Sequence, residues 1–183
     1  MRRAMRRLIA GCMLLPFLLT TPTNPVLAQA TAVSEYALKS VLFFKLPLFV
    51  YQPNAIRNSD LRMCLLGSNP FGGALEKLAQ APIDGRPVQV IRLSNPADAS
   101  QCDFLFIPRN EADRLEDILR KLSTSTVVTV SDIEGFAAAG GMVELSLGDK
   151  GAAIRILINR KAAWKQNIEF NAQLLRLARL VGQ

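Results

Sequence analysis

The sequence predicts an α/β fold: a single domain with a mixed sheet, a parallel βαβ unit in its first part, an antiparallel hairpin near its end, and flanking helices. Three observations carry this. Two apolar runs, residues 61–67 (LRMCLLG) and 88–93 (VQVIRL), enclose a short helical pattern, an order that demands a crossover and favours parallel strands. Two more, residues 142–147 and 152–159, flank Gly148-Asp149-Lys150-Gly151, which has the composition of a hairpin turn. Half the chain is apolar, which supports one packed core in a domain of this length.

The first residues read as an address. Arg2, Arg3, Arg6 and Arg7 precede an apolar run at 8–19, and small residues follow at Val26-Leu27-Ala28-Gln29-Ala30. Residues 1–28 are therefore expected to be a secretory signal peptide, cleaved after Ala28 or Ala30, with one domain over residues 31–183. The run falls short of the roughly 20 residues of a spanning helix, and Pro16 interrupts it. Ile9-Ala10-Gly11-Cys12 has the pattern of a lipoprotein cleavage site, but most of the apolar run lies after it, so Cys12 reads as an ordinary leader residue. Removing the leader takes the basic count from 22 to 18 against 15 acids, and the net charge from +7 to +3. Such a charge gives no case for nucleic acid as a partner.

Ser34 is placed to cap a helix starting at Glu35, with Tyr36, Ala37, Val41, Leu42 and Phe44 at helical spacing and Pro47 ending it. The aromatic-rich segment 43–51 reads as core at the end of that helix, with an exposed patch for a protein partner as the alternative. After the strand at 61–67, Asn69-Pro70-Phe71 leads into a helix over 72–79, and Asp84-Gly85-Arg86-Pro87 turns into the strand at 88–93. Gly67, Gly72 and Gly73 do not fit the dinucleotide or P-loop spacing and read as turn residues. A strand at 103–108 follows Cys102, and Asn110 is placed to cap a helix over 111–122 whose Leu115, Ile118, Leu119 and Leu122 share a face. Residues 127–141 (VVTVSDIEGFAAAGG) read as strand, loop and the start of the next strand, joining the parallel part of the sheet to its antiparallel end. Trp164, Ile168, Ala172, Leu175 and Ala178 then predict a long closing helix.

There is no histidine, which removes Ser-His-Asp and Cys-His nucleophiles, histidine metal sites and the usual general base. Asp132 and Glu134 alone are a weak acid–base pair, so an enzyme is not expected, and no cofactor or metal is called for. Cys64 and Cys102, an even pair in an exported chain, read as a disulfide between two elements of one sheet; a metal site would need further ligands. The alternative function, a periplasmic module binding a small anion or a nucleotide-like or amino-acid ligand at the strand ends, would use Ser131, Asp132 and backbone N–H groups near Gly140-Gly141, with Arg155 or Arg160 as counter-charge.

Cys64-Leu65-Leu66-Gly67 with Pro70-Phe71, Gly85 with Pro87, Cys102-Asp103-Phe104-Leu105-Phe106-Ile107, Val130-Ser131-Asp132 with Phe136 and Gly140-Gly141-Met142, Ile158-Asn159, and Leu174-Leu175-Arg176-Leu177-Ala178 stand in an order that resembles the YfiR family. The resemblance covers nearly all of the chain after the leader. It implies an exported, periplasmic, non-catalytic α/β protein that binds the periplasmic domain of an inner-membrane diguanylate cyclase, such as YfiN, or another sensor. Through that partner it would restrain cyclic di-GMP synthesis and biofilm growth; a homodimer is a second partner state. It matches Cys64 and Cys102 to the family's internal disulfide, and Ser131, Asp132, Gly140, Gly141 and Asn159 to its recurrent polar and glycine positions, which are the candidate ligand or partner contacts. Two departures stand out: no second cysteine pair lies within 145–152, which removes redox control through that pair, and the early helix ends in Lys45-Leu46-Pro47-Leu48-Phe49 in place of an aromatic-proline ending.

Overall fold

Strand order explains where everything else sits. The computed structural model describes residues 26–53, 60–148 and 153–182, with side chains from residue 35 onward. Most of the expected leader, including Cys12, and the hairpin positions 149–152 lie outside these. The elements in chain order are α1 (Val26–Lys45), β1 (Val50–Tyr51), β2 (Leu61–Leu66), α2 (Ala74–Leu78), β3 (Val88–Leu93), β4 (Phe104–Ile107), α3 (Leu115–Leu122), β5 (Val128–Ser131), β6 (Val143–Leu147), β7 (Ile154–Asn159), α4 (Arg160–Trp164), β8 (Glu169–Phe170), α5 (Ala172–Leu177) and β9 (Arg179–Val181). The main sheet has seven strands in the order β3-β2-β4-β5-β6-β7-β9, and β1 and β8 form a separate antiparallel pair. Every pair from β3 to β6 is parallel, β6 and β7 are antiparallel, and β9 lies parallel to β7. The α/β class, the βαβ start and the late hairpin are as the sequence predicts.

Residues 127–141 correct one expectation. The switch from parallel to antiparallel pairing falls one strand later, between β6 and β7, because β5 and β6 are themselves parallel. The physical reason is a compact helical turn after β5. Gly141 N–H donates to the Phe136 carbonyl, Gly140 N–H to the Ala137 carbonyl, and Gly140 has φ +112. These are the paired bonds of a Schellman stop, and they turn the chain back beside β5.

The closing helix is also corrected. After α4, Ile168 N–H bonds the Ala163 carbonyl and Asn167 N–H the Trp164 carbonyl, with Asn167 at φ +56. The same stop thus breaks the helix at Asn167. Asn171 then caps α5, its side chain accepting from Leu174 N–H, and Ala178 is extended, releasing the chain into β9. Apolar periodicity runs through the break because Ile168, Phe170 and Leu174 all point to the same core.

Smaller boundaries shift too. Ser34 lies inside α1 and not at its start. Gly72 has φ +58, so α2 begins two residues later than expected. Residues Arg109–Arg114 form a 3-10 segment with Pro108 at its N-cap, and Asn110 instead accepts a hydrogen bond from Ser68.

Two apolar layers sandwich the first part of the sheet. On one face α1, α2, α4 and α5 bury Phe43, Phe44, Leu75, Ala163 and Leu174 against Met63, Leu65, Phe104, Phe106, Val130, Val143, Leu145 and Ile158. Phe43, Phe71 and Phe106 make mutual ring contacts with centroids 4.6 to 6.1 Å apart; the aromatic-rich segment divides, with Phe43, Phe44 and Leu46 in the core and Leu48 and Tyr51 exposed. On the other face α3 and the 133–139 turn bring Ile118, Leu122, Ile133 and Phe136 onto Leu66, Leu105 and Ile107. The disulfide Cys64–Cys102, with Cα atoms 6.0 Å apart, lies in this second layer. The second layer stops at β5. Beyond it the same face of β6, β7 and β9 carries Glu144, Ser146, Arg155, Leu157, Arg179 and Val181, which stand on one face because Glu144 pairs with Leu157, Ser146 with Arg155 and Leu157 with Arg179. Among the described residues no helix is long and apolar enough to cross a membrane.

Candidate functional site: a buried ion cluster beside an open sheet face

Parallel strands β5 and β6 end at the same edge of the sheet, where open α/β folds meet their ligands. β5 ends in Ser131, whose hydroxyl is fully buried. It donates to the Ile107 carbonyl at 2.7 Å and accepts from Ile133 N–H at 2.9 Å. Both capacities go to the backbone, so Ser131 sets the entry to the turn.

The next residue serves a different purpose. Asp132 has no exposed side-chain surface; its Oδ2 accepts from Lys39 Nζ at 3.2 Å and from Arg109 Nε at 3.1 Å. Lys39, equally buried, also pairs with Glu35 one helical turn before it, and Arg109 Nη2 reaches Glu35 Oε1 at 2.7 Å. Two carboxylates and two cations thus compensate one another, as buried charges must. Both cations lie over the Tyr36 ring, Lys39 Nζ at 5.2 Å and the Arg109 guanidinium at 5.7 Å from its centre.

Burial pushes the Tyr36 hydroxyl up to about 12, and the Asp132 carboxylate adds to the rise. Burial lowers the Arg109 guanidinium, but Asp132, Tyr36 and Glu35 outweigh that and raise it. Asp132 acts on Tyr36 first through its charge and then through a side-chain hydrogen bond. The cluster ties α1, the 3-10 segment after β4 and the end of β5 together.

The other candidate positions brace the turn. Asn159 donates from Nδ2 to the Ala137 carbonyl at 2.8 Å and accepts from Ala162 N–H at 2.9 Å, which caps α4. Glu144 accepts from Ala137 N–H at 3.1 Å. Gly141 has no room for a side chain, since a Cβ there would lie 2.0 Å from the Phe136 ring.

Two crevices flank this region. The larger, about 710 Å³, is floored by the open face of β6, β7 and β9 and walled by Arg109, Asp132 and residues 133–135. A second, about 380 Å³, includes Gly140, Asn159, Lys161 and Lys165. The five sequence-derived candidates therefore do not meet in one pocket: Asp132 borders the first, Gly140 and Asn159 the second, and Ser131 and Gly141 neither. Arg155 lines the larger crevice, whereas Arg160 stacks on Trp164 at 4.4 Å. Sequence reasoning missed Glu35, Lys39, Arg109, Glu144 and Arg179. The available signal was a lysine at a core-facing helical position with a glutamate four residues before it. Among the described residues no group of three or more cysteines and acids is arranged to hold a metal ion.

Comparison with known proteins adds fold and family. A conserved domain protein of Vibrio cholerae El Tor superposes with a TM-score of 0.56 at 10% identity over 80% of this chain. The ABC domain from Streptococcus pneumoniae, solved in complex with L-Trp, gives 0.52 at 14% identity over 79%. This chain spans 60% of the length of each, and the likeness is one of fold. Curated proteins give no match. The sequence pattern of the YfiR/HmsC-like family matches residues 36–179, from the tyrosine of the ion cluster to the first residue of β9. The chain belongs to the YfiR/HmsC-like family.

Proposed function

We propose that this chain, once its leader is removed, is a periplasmic regulatory protein that binds and restrains an inner-membrane sensor, a diguanylate cyclase that controls cyclic di-GMP and biofilm formation. It acts by binding and not by catalysis. The family match across residues 36–179 carries this reading. Such a protein needs a contact surface and an element whose position biases binding. Exposed Leu38, Val41 and Leu48 stand along the outer side of α1 and its 3-10 extension, with Tyr51 beyond them. The ion cluster fixes α1 against the strand ends, so contact surface and bias belong to one helix.

The test is deletion of the gene together with capture of membrane partners by the purified chain. The reading expects cyclic di-GMP to rise on deletion and a cyclase to be captured. Leu38→Glu with Val41→Glu should keep the melting temperature and lose the capture. Unchanged cyclic di-GMP with no cyclase recovered would overturn it.

A second reading, a small-ligand-binding module, is favoured by one observation: the 710 Å³ crevice at the carboxyl ends of β5 and β6 lies in the size range of ligand sites, roughly 300–1,000 Å³.

A further inference from the structure

Helix α4 reads Arg160-Lys161-Ala162-Ala163-Trp164, with Lys165 as its C-cap. At about 3.6 residues per turn it carries two adjacent rows, Arg160 with Trp164 and Lys161 with Lys165. Only Ala163 is buried. Trp164, the sole tryptophan of the chain, is 54% exposed, although this residue type is highly buried on average. The Arg160 guanidinium stacked on its ring orders the indole without burying it.

The surroundings are basic. Lys161 and Lys165 line the crevice of about 380 Å³, to which no acid contributes among the described residues. Neither lysine nor Arg160 makes an ion pair among the described residues. Glu169, in a small hollow with Arg160 and Trp164, is the one acid lining either recess beside α4. The acids beyond are matched: Asp117 by Arg120 and Lys121 at the end of α3, and Asp103, across Gln166 and Asn167, by Arg62 and Arg86. Three cations therefore face one carboxylate around an exposed indole. Tyr51, also exposed, stands opposite Glu169 in the β1–β8 pair and extends the aromatic edge.

We propose that this face docks on a bilayer surface of anionic phospholipid, with the Trp164 indole at headgroup depth and Arg160, Lys161 and Lys165 against the lipid phosphates. Charge complementarity selects an anionic partner, since a cationic one would meet three like charges. The indole selects lipid over an acidic protein segment. Cations alone would serve a carboxylate-rich chain, whereas an amphipathic ring set among cations suits the boundary between headgroup and hydrocarbon. The contact is peripheral, because no helix among the described residues is long and apolar enough to span a membrane. It goes beyond the regulatory reading and needs no cyclase, but it would seat the chain on the surface from which a membrane sensor's periplasmic domain rises.

Vesicle co-sedimentation of the chain purified after leader removal tests it, comparing phosphatidylglycerol mixed with phosphatidylethanolamine against phosphatidylcholine alone. Binding is expected to the anionic vesicles only, and raising sodium chloride from about 0.05 to about 0.5 M should weaken it at least about tenfold. Trp164 reports the contact directly as the sole tryptophan, and its emission should move to shorter wavelength on binding. Lys161→Ala with Lys165→Ala should weaken partitioning about thirtyfold. Both side chains are exposed, so the melting temperature should be unchanged. Replacing the same pair by arginine should retain binding.

No binding to anionic vesicles at low salt, equal binding to phosphatidylcholine, an indole emission that does not move on binding, or partitioning indifferent to the lysine pair would each overturn the proposal. So would capture by immobilised polyglutamate without binding to vesicles, which would give the face to an acidic protein. None of these outcomes bears on cyclic di-GMP in cells, so failure here and failure of the regulatory reading are separate results.

Discussion

Lys39 has no exposed side-chain surface, so its ammonium has exchanged water for Glu35 and Asp132. Removing one member of such a set leaves the others charged and unsolvated. Lys39→Met keeps the apolar stem but leaves two carboxylates to Arg109, which is half exposed; the variant should lose about 3–5 kcal/mol of unfolding free energy in urea. A loss below about 1 kcal/mol would mean that water screens the cluster like a surface pair. Tyr36 offers an optical reading of the same site. Its folded value is raised from 10.0 to about 12, so the stability it contributes is intact below pH 10 and is lost as pH rises through 12. Absorbance titration should show a tyrosine ionising near pH 12, and Tyr36→Phe should remove that step. Of this site the sequence pointed to Asp132, at the end of an apolar strand, but not to Glu35, Lys39 or Arg109 as its partners: Asp132 lies 93 positions from Lys39, and nothing local pairs them.

At the scale of elements, two stops with the same hydrogen-bond pattern shape the second half of the chain. At Gly140 the stop is written in the sequence, since a glycine pair after three alanines is the composition of a helical turn ending in a left-handed residue. At Asn167 it is not, because asparagine tolerates that conformation without announcing it. The apolar positions on either side keep helical spacing while the backbone leaves the helix, which is why periodicity alone predicts one long helix there. The Gly141 environment makes a direct test. Phe136 is fully buried and would meet a new Cβ at 2.0 Å. Gly141→Val should cost about 1–3 kcal/mol through overpacking, read as a fall in melting temperature. Gly140→Val, at φ +112, should also destabilise, by about 1–2 kcal/mol. Unchanged melting in both would show that the turn is not fixed by these residues.

For the molecule as a whole, the sequence conveyed class, the positions of β2 to β7 and the late hairpin, because each rests on local apolar pattern; it did not convey β1, β8 or β9. It did not convey the open sheet face, since alternation along β6 and β7 says which residues share a side but not that α3 ends its cover at β5. The disulfide acts at this scale, joining residues 38 apart in the second core layer. Replacing both cysteines by alanine should lower stability by roughly 3–4 kcal/mol on chain-entropy grounds, seen as a lower urea midpoint with a steeper slope, because the unlinked unfolded chain exposes more surface. The small β1–β8 pair has a different consequence. Val50 pairs with Phe170, and Phe49 accepts the Asn171 N–H, so the start of the domain is stitched to its end. A chain emerging N-terminus first from the ribosome holds β1 without its partner strand until almost the last residues arrive. Contacts so distant in sequence close late, so β1 with Phe49 before it is the segment that waits longest and the place where a holding chaperone would be needed.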